Sequence, residues 1–537
     1  MMKMPRLSFV KSTLISLLVL LIVTVMGSTR LLETFWGDQA LFVVYAEEIN
    51  RGALLYRDVW DLKQPGIFLF YLTGGKLFGF TEFGIHLFEL LYWLMFSIIL
   101  SISLEDYFRS PFFAKLTPLM TVGFYYAICG SLHLTQVEGL VGFPLYLSLW
   151  ATVRAVESQS ASTTGFLLFA SGLAGGIVLV FKLILLPIVA LFWLSLLIFL
   201  VMRRGIFLPK VLLLTVAPIL FGLVIPLLAV IAYFAWYDAL DVMNYTFFGY
   251  PSRALNSLAG RNRLPILKQG LYWFITSFLP LIIFTFIWAL LAVKRWKTQD
   301  KSLSNRLMNK NRQIDLVTVN LILWLFAGFV VILAQGFSWW EYHYLLLLVP
   351  FGVLATKGID RLWEAVQVNA FFTRPAGRLI FIICIFLLFV PTLKLAAWRA
   401  KNTFISRMNS PTEPLLTPSG DMDALYEKTR TETAFLFDEN SRPGKIFVCG
   451  QPLYYYLSKR PPAFASNGWM PELFLPEQWK QLGEELATKS PPYVSVEKYC
   501  RGLMEVESPE TLQILENNYR LRSEREDVLW YELISKP

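Results

Sequence analysis

Six carboxylates and three bases crowd one short interval of a chain in which charged residues make up only 16%. Glu33, Asp38, Glu47, Glu48, Asp58 and Asp61 stand with Arg51, Arg57 and Lys63 in "ETFWGDQALFVVYAEEINRGALLYRDVWDLK". A carboxylate on a rigid element can take a proton from a hydroxyl, and a nearby lysine can neutralise an anionic leaving group. Asp38 is the candidate base. It immediately precedes a helical apolar pattern, so a structural role competes: an aspartate there can act as N-cap, accepting from the free amides of the first turn and gaining from the helix dipole. Asp61 and Lys63, in "VWDLKQPG", read either as a local ion pair of little worth at an exposed site or as a lysine presented to a phosphate.

Further along, Glu138 opens an apolar run in "SLHLTQVEGLVGFP" and Lys182 interrupts another in "GGIVLVFKLILLP". An acid at a helix N-terminus is electrostatically comfortable, yet acids at a membrane edge are rare and disproportionately functional. A lysine at the end of a span can simply snorkel, or it can meet an anion. The three histidines, His86, His133 and His343, all map to the same ends of apolar runs, but their spacing is no metal signature. No glycine-rich phosphate loop, HExxH or CxxC is present.

The elements that must position these residues are membrane helices. Of the 537 residues, 55% are hydrophobic, far from a soluble composition. Apolar runs long enough to cross roughly 30 Å of hydrocarbon recur from residue 12 to 397; eleven are expected, centred near 20, 94, 122, 148, 173, 193, 223, 281, 325, 349 and 388. The first is too long and too weakly ended for a removable signal peptide. Lys3, Arg6 and Lys11 put the N-terminus in the cytoplasm, and an odd number of spans puts the C-terminus outside. The inner loops are then the basic ones: Arg203, Arg204 and Lys210; "VKRWKTQDKSLSNRLMNKNRQ"; and Lys357, Arg361, Arg374 and Arg378. The net charge of +9 thus follows from topology and gives no reason to infer nucleic-acid binding.

Three outer segments are long enough to build something: residues 30–83, 236–269 and the tail from about 398. Residues 39–50 are expected to form an amphipathic helix lying at the lipid-water interface, since Leu41, Val44, Tyr45 and Glu48 share one face. "PGIFLFYLTGGKLFG" reads as a second such stretch, too short and Gly-broken to span. The loop is therefore expected to be pinned to the bilayer. In the tail, "KIFVCG", "YVSV" and "DVLWYEL" read as strands and "PEQWKQLGEELA" as a helix, giving a small α/β domain. The domains expected are 1–397 in the membrane and 398–537 outside it. Cys129 and Cys384 fall in spans as packing residues; Cys449 and Cys500 fall in the tail, where a disulfide is permitted but the sequence does not bring them together.

The order of these parts resembles the multi-spanning GT-C glycosyltransferases, bacterial family 39 type, relatives of protein O-mannosyltransferases and aminoarabinose transferases. The resemblance rests on an Asp after the first span, an interfacial helix, "YRDVWDLKQPG", an apolar segment ending in "LFG" and the start "TEFGIHLFELL". "QVEGLVGFPL" is similar to the family's acidic motif, "VFKLILLP" to its lysine turn, "EYHYLLLLVP" to its late aromatic-His segment, and "KIFVCGQPLYYYLSKRPP" to the start of its outer domain. Two departures stand out. Asp38-Gln39 replaces the Asp-Glu of many members, and Asp61-Leu-Lys63-Gln-Pro65 replaces Asp-Lys-Pro-Pro.

What the resemblance implies is transfer of a sugar from a polyprenyl-phosphate donor to an acceptor hydroxyl on the outer, periplasmic side of the inner membrane. Asp38 would be the first catalytic carboxylate and Glu138 the second; Lys63, Lys182 and His343 would contact donor phosphate, with Asp61 and Tyr344 in support. No cofactor is implied, and a divalent metal is not indicated. The partners expected are the lipid-linked donor, membrane lipids and an acceptor that is a lipid, a polysaccharide or a protein. A glycan ligase or polymerase using the same carrier is the alternative; a transporter fits less well, because the acids gather at one edge of the spans. Sugar and acceptor identity are left open.

Overall fold

The computed structural model describes residues 5–204, 209–258, 264–298, 315–336, 339–368, 374–401 and 421–534. The basic stretch after Thr298 and the Pro-rich break at 411–418 lie outside them. Eight helices are long and apolar enough to cross a membrane: Glu82–Ser103, Val137–Glu157, Ala161–Phe181, Leu183–Met202, Leu213–Trp236, Leu264–Lys294, Leu316–Ala334 and Pro375–Arg399. The chain is an integral membrane protein. The other three expected runs are helical too. Pro5–Ser28 is one helix; the run near 122 is Pro111–Pro118, a π turn at Leu119–Gly123 and Phe124–Ile128; the run near 349 is a 3-10 turn, Glu341–Leu347, leading into Leu348–Val368. Among the described residues, length and apolarity assign crossings to eight, and a count of eleven goes beyond them.

The interruptions have local causes. Pro118 cannot donate its backbone amide and sits just before the π turn. Lys182 is extended, at φ −164° and ψ 109°, between the helix ending at Phe181 and the 3-10 turn Leu183–Leu185. Helix starts are capped where the sequence offers a short polar side chain: Ser110 accepts from Phe112 N–H, Ser160 from Thr163 N–H and Asp315 from Thr318 N–H.

The chain divides into two compact units. The first comprises Met1–Arg30, Glu89–Val230 and Arg263–Lys401, and is the helical bundle. Within it Gly142–Glu157 packs along Ala161–Phe181, and Leu264–Thr298 along Leu348–Val368. Gly172 and Gly176, one turn apart, let their helix touch the backbone of the helix starting at Pro209 at Ile219 and Leu223, while Gly222 meets Phe169 in return. Ser148, Thr152 and Ser171 add buried hydroxyl bonds between neighbouring helices, satisfying polar groups that lipid could not. Lys357 is held by Asp315 and by Thr318, and Thr318 also bonds Tyr107.

The second unit comprises Leu31–Phe88, Ile231–Asn262 and Asn402–Pro537. The helix Asp38–Asn50 is buried on almost every side, from Asp38 through Ala46, and packs on Pro65–Phe78 and on Leu453–Ser458. The expectation of an amphipathic helix lying on the bilayer is corrected: protein, not lipid, covers it, with Phe42 edge-on to Phe68 and Tyr71. Nor is Pro65–Phe78 broken at its glycines; Gly74 and Gly75 stay helical and admit the rings of Phe88 and Phe80. The tail builds a four-stranded sheet from β1 (Ile446–Cys449), β2 (Tyr493–Glu497), β3 (Tyr519–Glu524) and β4 (Val528–Leu533), in the order β1-β2-β4-β3. β1 and β2 run parallel and the other pairs antiparallel. Helix Pro476–Lys489 lays Trp479, Leu482 and Leu486 on Phe447, Val494 and Val496. Cys449 and Cys500 meet in this core as a disulfide, with a Cα–Cα distance of 6.0 Å. Glu82 accepts from Tyr426 and Tyr456, tying the start of its helix to the tail.

Candidate active site

In the second unit the chain reaches helix Asp38–Asn50 through Gly37, whose φ of +47° belongs to the left-handed region that favours glycine. Gly37 is the cap residue and Asp38 the first helical residue. The N-cap reading of Asp38 is therefore replaced. A glycine supplies the turn, and the aspartate stands one position on, inside the helix. Its carboxylate is buried and takes two donors instead: Lys63 Nζ stands 3.0 Å from Oδ2, and Trp469 Nε1 donates to Oδ1 at 2.8 Å. Lys63 Nζ also lies 5.0 Å from the centroid of the Phe42 ring.

The loop after the helix is fixed with equal care. Asp61 Oδ1 accepts the Lys63 backbone N–H at 2.8 Å, and Tyr56 Oη donates to the Lys63 carbonyl at 2.7 Å. Burial raises the pKa of Asp61; Lys63 opposes the shift and the Asp38 charge reinforces it. The Trp60 carbonyl accepts from Tyr45 Oη at 3.1 Å and Asn467 Nδ2 at 2.9 Å, while Asn467 Oδ1 takes the Trp469 N–H at 2.8 Å. Gln451 Oε1 takes the Gly37 N–H at 3.1 Å. Gln39, where many relatives of the resemblance carry Glu, turns its Oε1 to the Trp36 N–H at 3.3 Å.

The first unit holds a second charged group. Glu138, one residue into the helix that starts at Val137, is buried; its Oε1 is 2.5 Å from Lys182 Nζ and 3.5 Å from His343 Nε2. Lys182 also donates to Gln335 Oε1 at 2.7 Å. The helix break at Lys182 and the 3-10 turn carrying His343 thus converge on one carboxylate. Tyr344, next in that turn, stacks on Phe274 with centroids 5.0 Å apart. His133 and Glu341 form a further pair, at 3.2 Å, with His133 stacked 4.4 Å from Trp273 and Gln269 donating to Glu341. Burial lowers the pKa of His133; it would raise that of Glu341, but His133 and Gln269 outweigh it and hold the carboxylate below its usual range. His86 packs edge-on to Phe35. Among the described residues no group of three or more His, Cys, Asp or Glu is arranged to hold a metal ion.

The expected residues therefore fall into two sets: Asp38, Lys63 and Asp61 meet in one unit, and Glu138, Lys182 and His343 in the other. Sequence reading missed Trp469, Gln451 and Asn467, which follow β1 and reach the first loop; nothing in their spacing marks them. It also missed Glu89, an acid inside a span, which accepts from Tyr125 Oη at 2.5 Å and from the N–H of Thr135, a residue at φ +52°.

No protein-family model and no curated protein sequence matches the chain. Among solved structures, ArnT from Cupriavidus metallidurans bound to undecaprenyl phosphate matches with a TM-score of 0.57 at 13% identity, over 99% of each chain. ArnT in the apo state matches with a TM-score of 0.58 at 14% identity, over 98% of each chain. The likeness is one of fold: the chain has the fold of these ArnT structures.

Proposed function

We propose that this chain, built on the fold it shares with ArnT, is a membrane glycosyltransferase that moves a sugar from a polyprenyl-phosphate donor to an acceptor hydroxyl. The observation that carries the reading is the Asp38 carboxylate. It is buried and is held between Lys63 and Trp469. A buried carboxylate mounted on a rigid helix has what a general base needs.

In the proposed reaction Asp38 accepts the proton of the acceptor hydroxyl. The hydroxyl oxygen forms its bond to the anomeric carbon with its own electron pair, and the bond from that carbon to the phosphate oxygen breaks, its pair leaving with the lipid phosphate. Lys63 is assigned to the phosphate. In the first unit Lys182 and His343, which Glu138 anchors, are assigned by themselves as anion contacts. Asp61 holds the Lys63 backbone, and Tyr344, stacked on Phe274, is assigned a supporting role beside His343. No cofactor is assigned, because each proton and charge in this scheme has a side chain to receive it. The polyprenyl chain would stay in the bilayer, and ArnT's bound undecaprenyl phosphate supports a carrier of that class. We assign the reaction to the outer side of a bacterial inner membrane, with the N-terminus in the cytoplasm, on the placement of basic residues. The proposed domains remain 1–397 in the bilayer and 398–537 outside it.

The test is turnover by the full chain in lipid nanodiscs, given a panel of undecaprenyl-phosphate pentoses and hexoses with cell-envelope extract as acceptor source. Release of free undecaprenyl phosphate is measured. Asp38→Asn should lose about 10²- to 10⁴-fold in rate at an unchanged melting temperature. An Asn variant as fast as the parent would remove Asp38 as the base.

A further inference from the structure

We propose that Trp469, on the C-terminal sheet domain, is a positioning residue for the Asp38 carboxylate. This deepens the proposed function and rests on Asp38 being the base. The terminal torsion of an aspartate is soft and broad, so a carboxylate that must meet a hydroxyl in one orientation needs partners to impose it. Here two rigidly mounted donors do so, one per oxygen: the Trp469 indole on Oδ1 at 2.8 Å and the Lys63 ammonium on Oδ2 at 3.0 Å. A carboxylate has about four lone-pair positions, and these two anchors take one on each oxygen. Hydrogen bonds to an ionised acceptor are also roughly twice as strong as neutral ones, so the indole is a firm anchor.

The surroundings are built to deliver that indole. Gly468 at φ +50° and Met470 at φ +54° flank it, and the second is a conformation that a residue with a side chain adopts only under constraint. Asn467 fixes the Trp469 backbone amide. On the opposing side Gly37 has no side chain where a Cβ would stand 2.9 Å from the Trp469 ring, and Gln451 pins the Gly37 amide. Glycine at 37 thus serves both the turn into the helix and the approach of the indole.

The experiment uses the full chain in nanodiscs and two replacements of Trp469: Trp469→Phe, and the isostere 3-benzothienylalanine, which keeps the bicycle and lacks the N–H. Turnover is followed with the sugar from the panel that the parent transfers. Separately and without any ligand, the Asp38 carboxylate stretch is isolated as an infrared difference against Asp38→Asn. We expect kcat to fall about 10-fold, the rate equivalent of one charge-assisted hydrogen bond, with donor KM changed less than threefold and the carboxylate band shifted in both variants. If Asp38→Asn is inactive while the isostere keeps the parental kcat and band, the positioning role is wrong and the base assignment survives. If Asp38→Asn is active, the base assignment falls, and the band alone decides whether Trp469 holds the carboxylate.

Discussion

Lys182 and Glu138 lie 44 residues apart in sequence and meet at 2.5 Å, with the Glu138 side chain only 3% exposed. Removing the cation leaves a buried carboxylate short of its main partner, whereas removing both charges leaves nothing to compensate. Lys182→Met should therefore destabilise the chain by roughly 3 kcal/mol, the lower end for a buried pair, because Lys182 itself keeps some contact with solvent. Glu138→Gln should cost less, and the double variant less than the sum of the two. Unfolding in mixed micelles gives the cycle, and strict additivity would show that the pair is not coupled.

Asp61 offers a gain rather than a loss. Burial and the Asp38 charge raise its folded pKa, although Lys63 opposes them, so its ionised form burdens the fold. Below about pH 4, near the ordinary aspartate value, the carboxyl is protonated folded or unfolded and contributes nothing. Above that the unfolded chain releases the proton more readily, and stability falls as pH rises through the folded value. Asp61→Asn keeps an oxygen for the Lys63 amide and should melt a few degrees higher at pH 7, with the advantage gone near pH 4. Equal melting at both pH values would count against this.

His133 works in the opposite sense. Burial lowers its folded pKa even though Glu341 pulls upward, and the ring is stacked flat on Trp273. Above about pH 6.5, the ordinary histidine value, both states are neutral and nothing is at stake. As pH falls through that value the unfolded chain binds the proton first, so stability is lost. His133→Gln should flatten the melting temperature between pH 7 and 5. Should the slope stay unchanged, another group titrates there.

The disulfide closes a loop with a sequence separation of 51. In the chain-entropy account a loop of that size contributes about 4 kcal/mol. The paired replacement Cys449→Ser and Cys500→Ser should lower the melting temperature of the full chain, and a reductant should lower that of the parent but not that of the variant. A reductant that moves neither would mean the bond is not formed in the purified protein.

What was legible in the sequence is what local pattern carries. Apolar runs announced the spanning helices, and the short β-branched and aromatic runs in "KIFVCG" and "DVLWYEL" announced β1 and β4. Asp38 and Lys63, like Glu138 and Lys182, could be picked out singly but not as partners. The errors arose where a distant contact overrode a local preference. Asp38 has the chemistry of a cap, but Gly37 takes that position because only a residue without a side chain fits against Trp469. The helix after it reads as amphipathic because Leu41, Val44, Tyr45 and Glu48 share one face, yet Asp38 through Ala46 are buried on every face by segments from elsewhere in the chain. Single hydrogen bonds such as those of Gln451 and Asn467 leave no periodicity to read.

The bond between Trp469 and Asp38 spans 431 positions. A ribosome adding about 5–20 residues per second needs roughly 20–90 s to cover that stretch, so the first loop is made long before its last partners exist. Over that interval a nascent chain must shelter the Asp38 helix by other means. Any premature stop upstream of β1 would release a protein whose membrane helices are complete and whose first loop never closes.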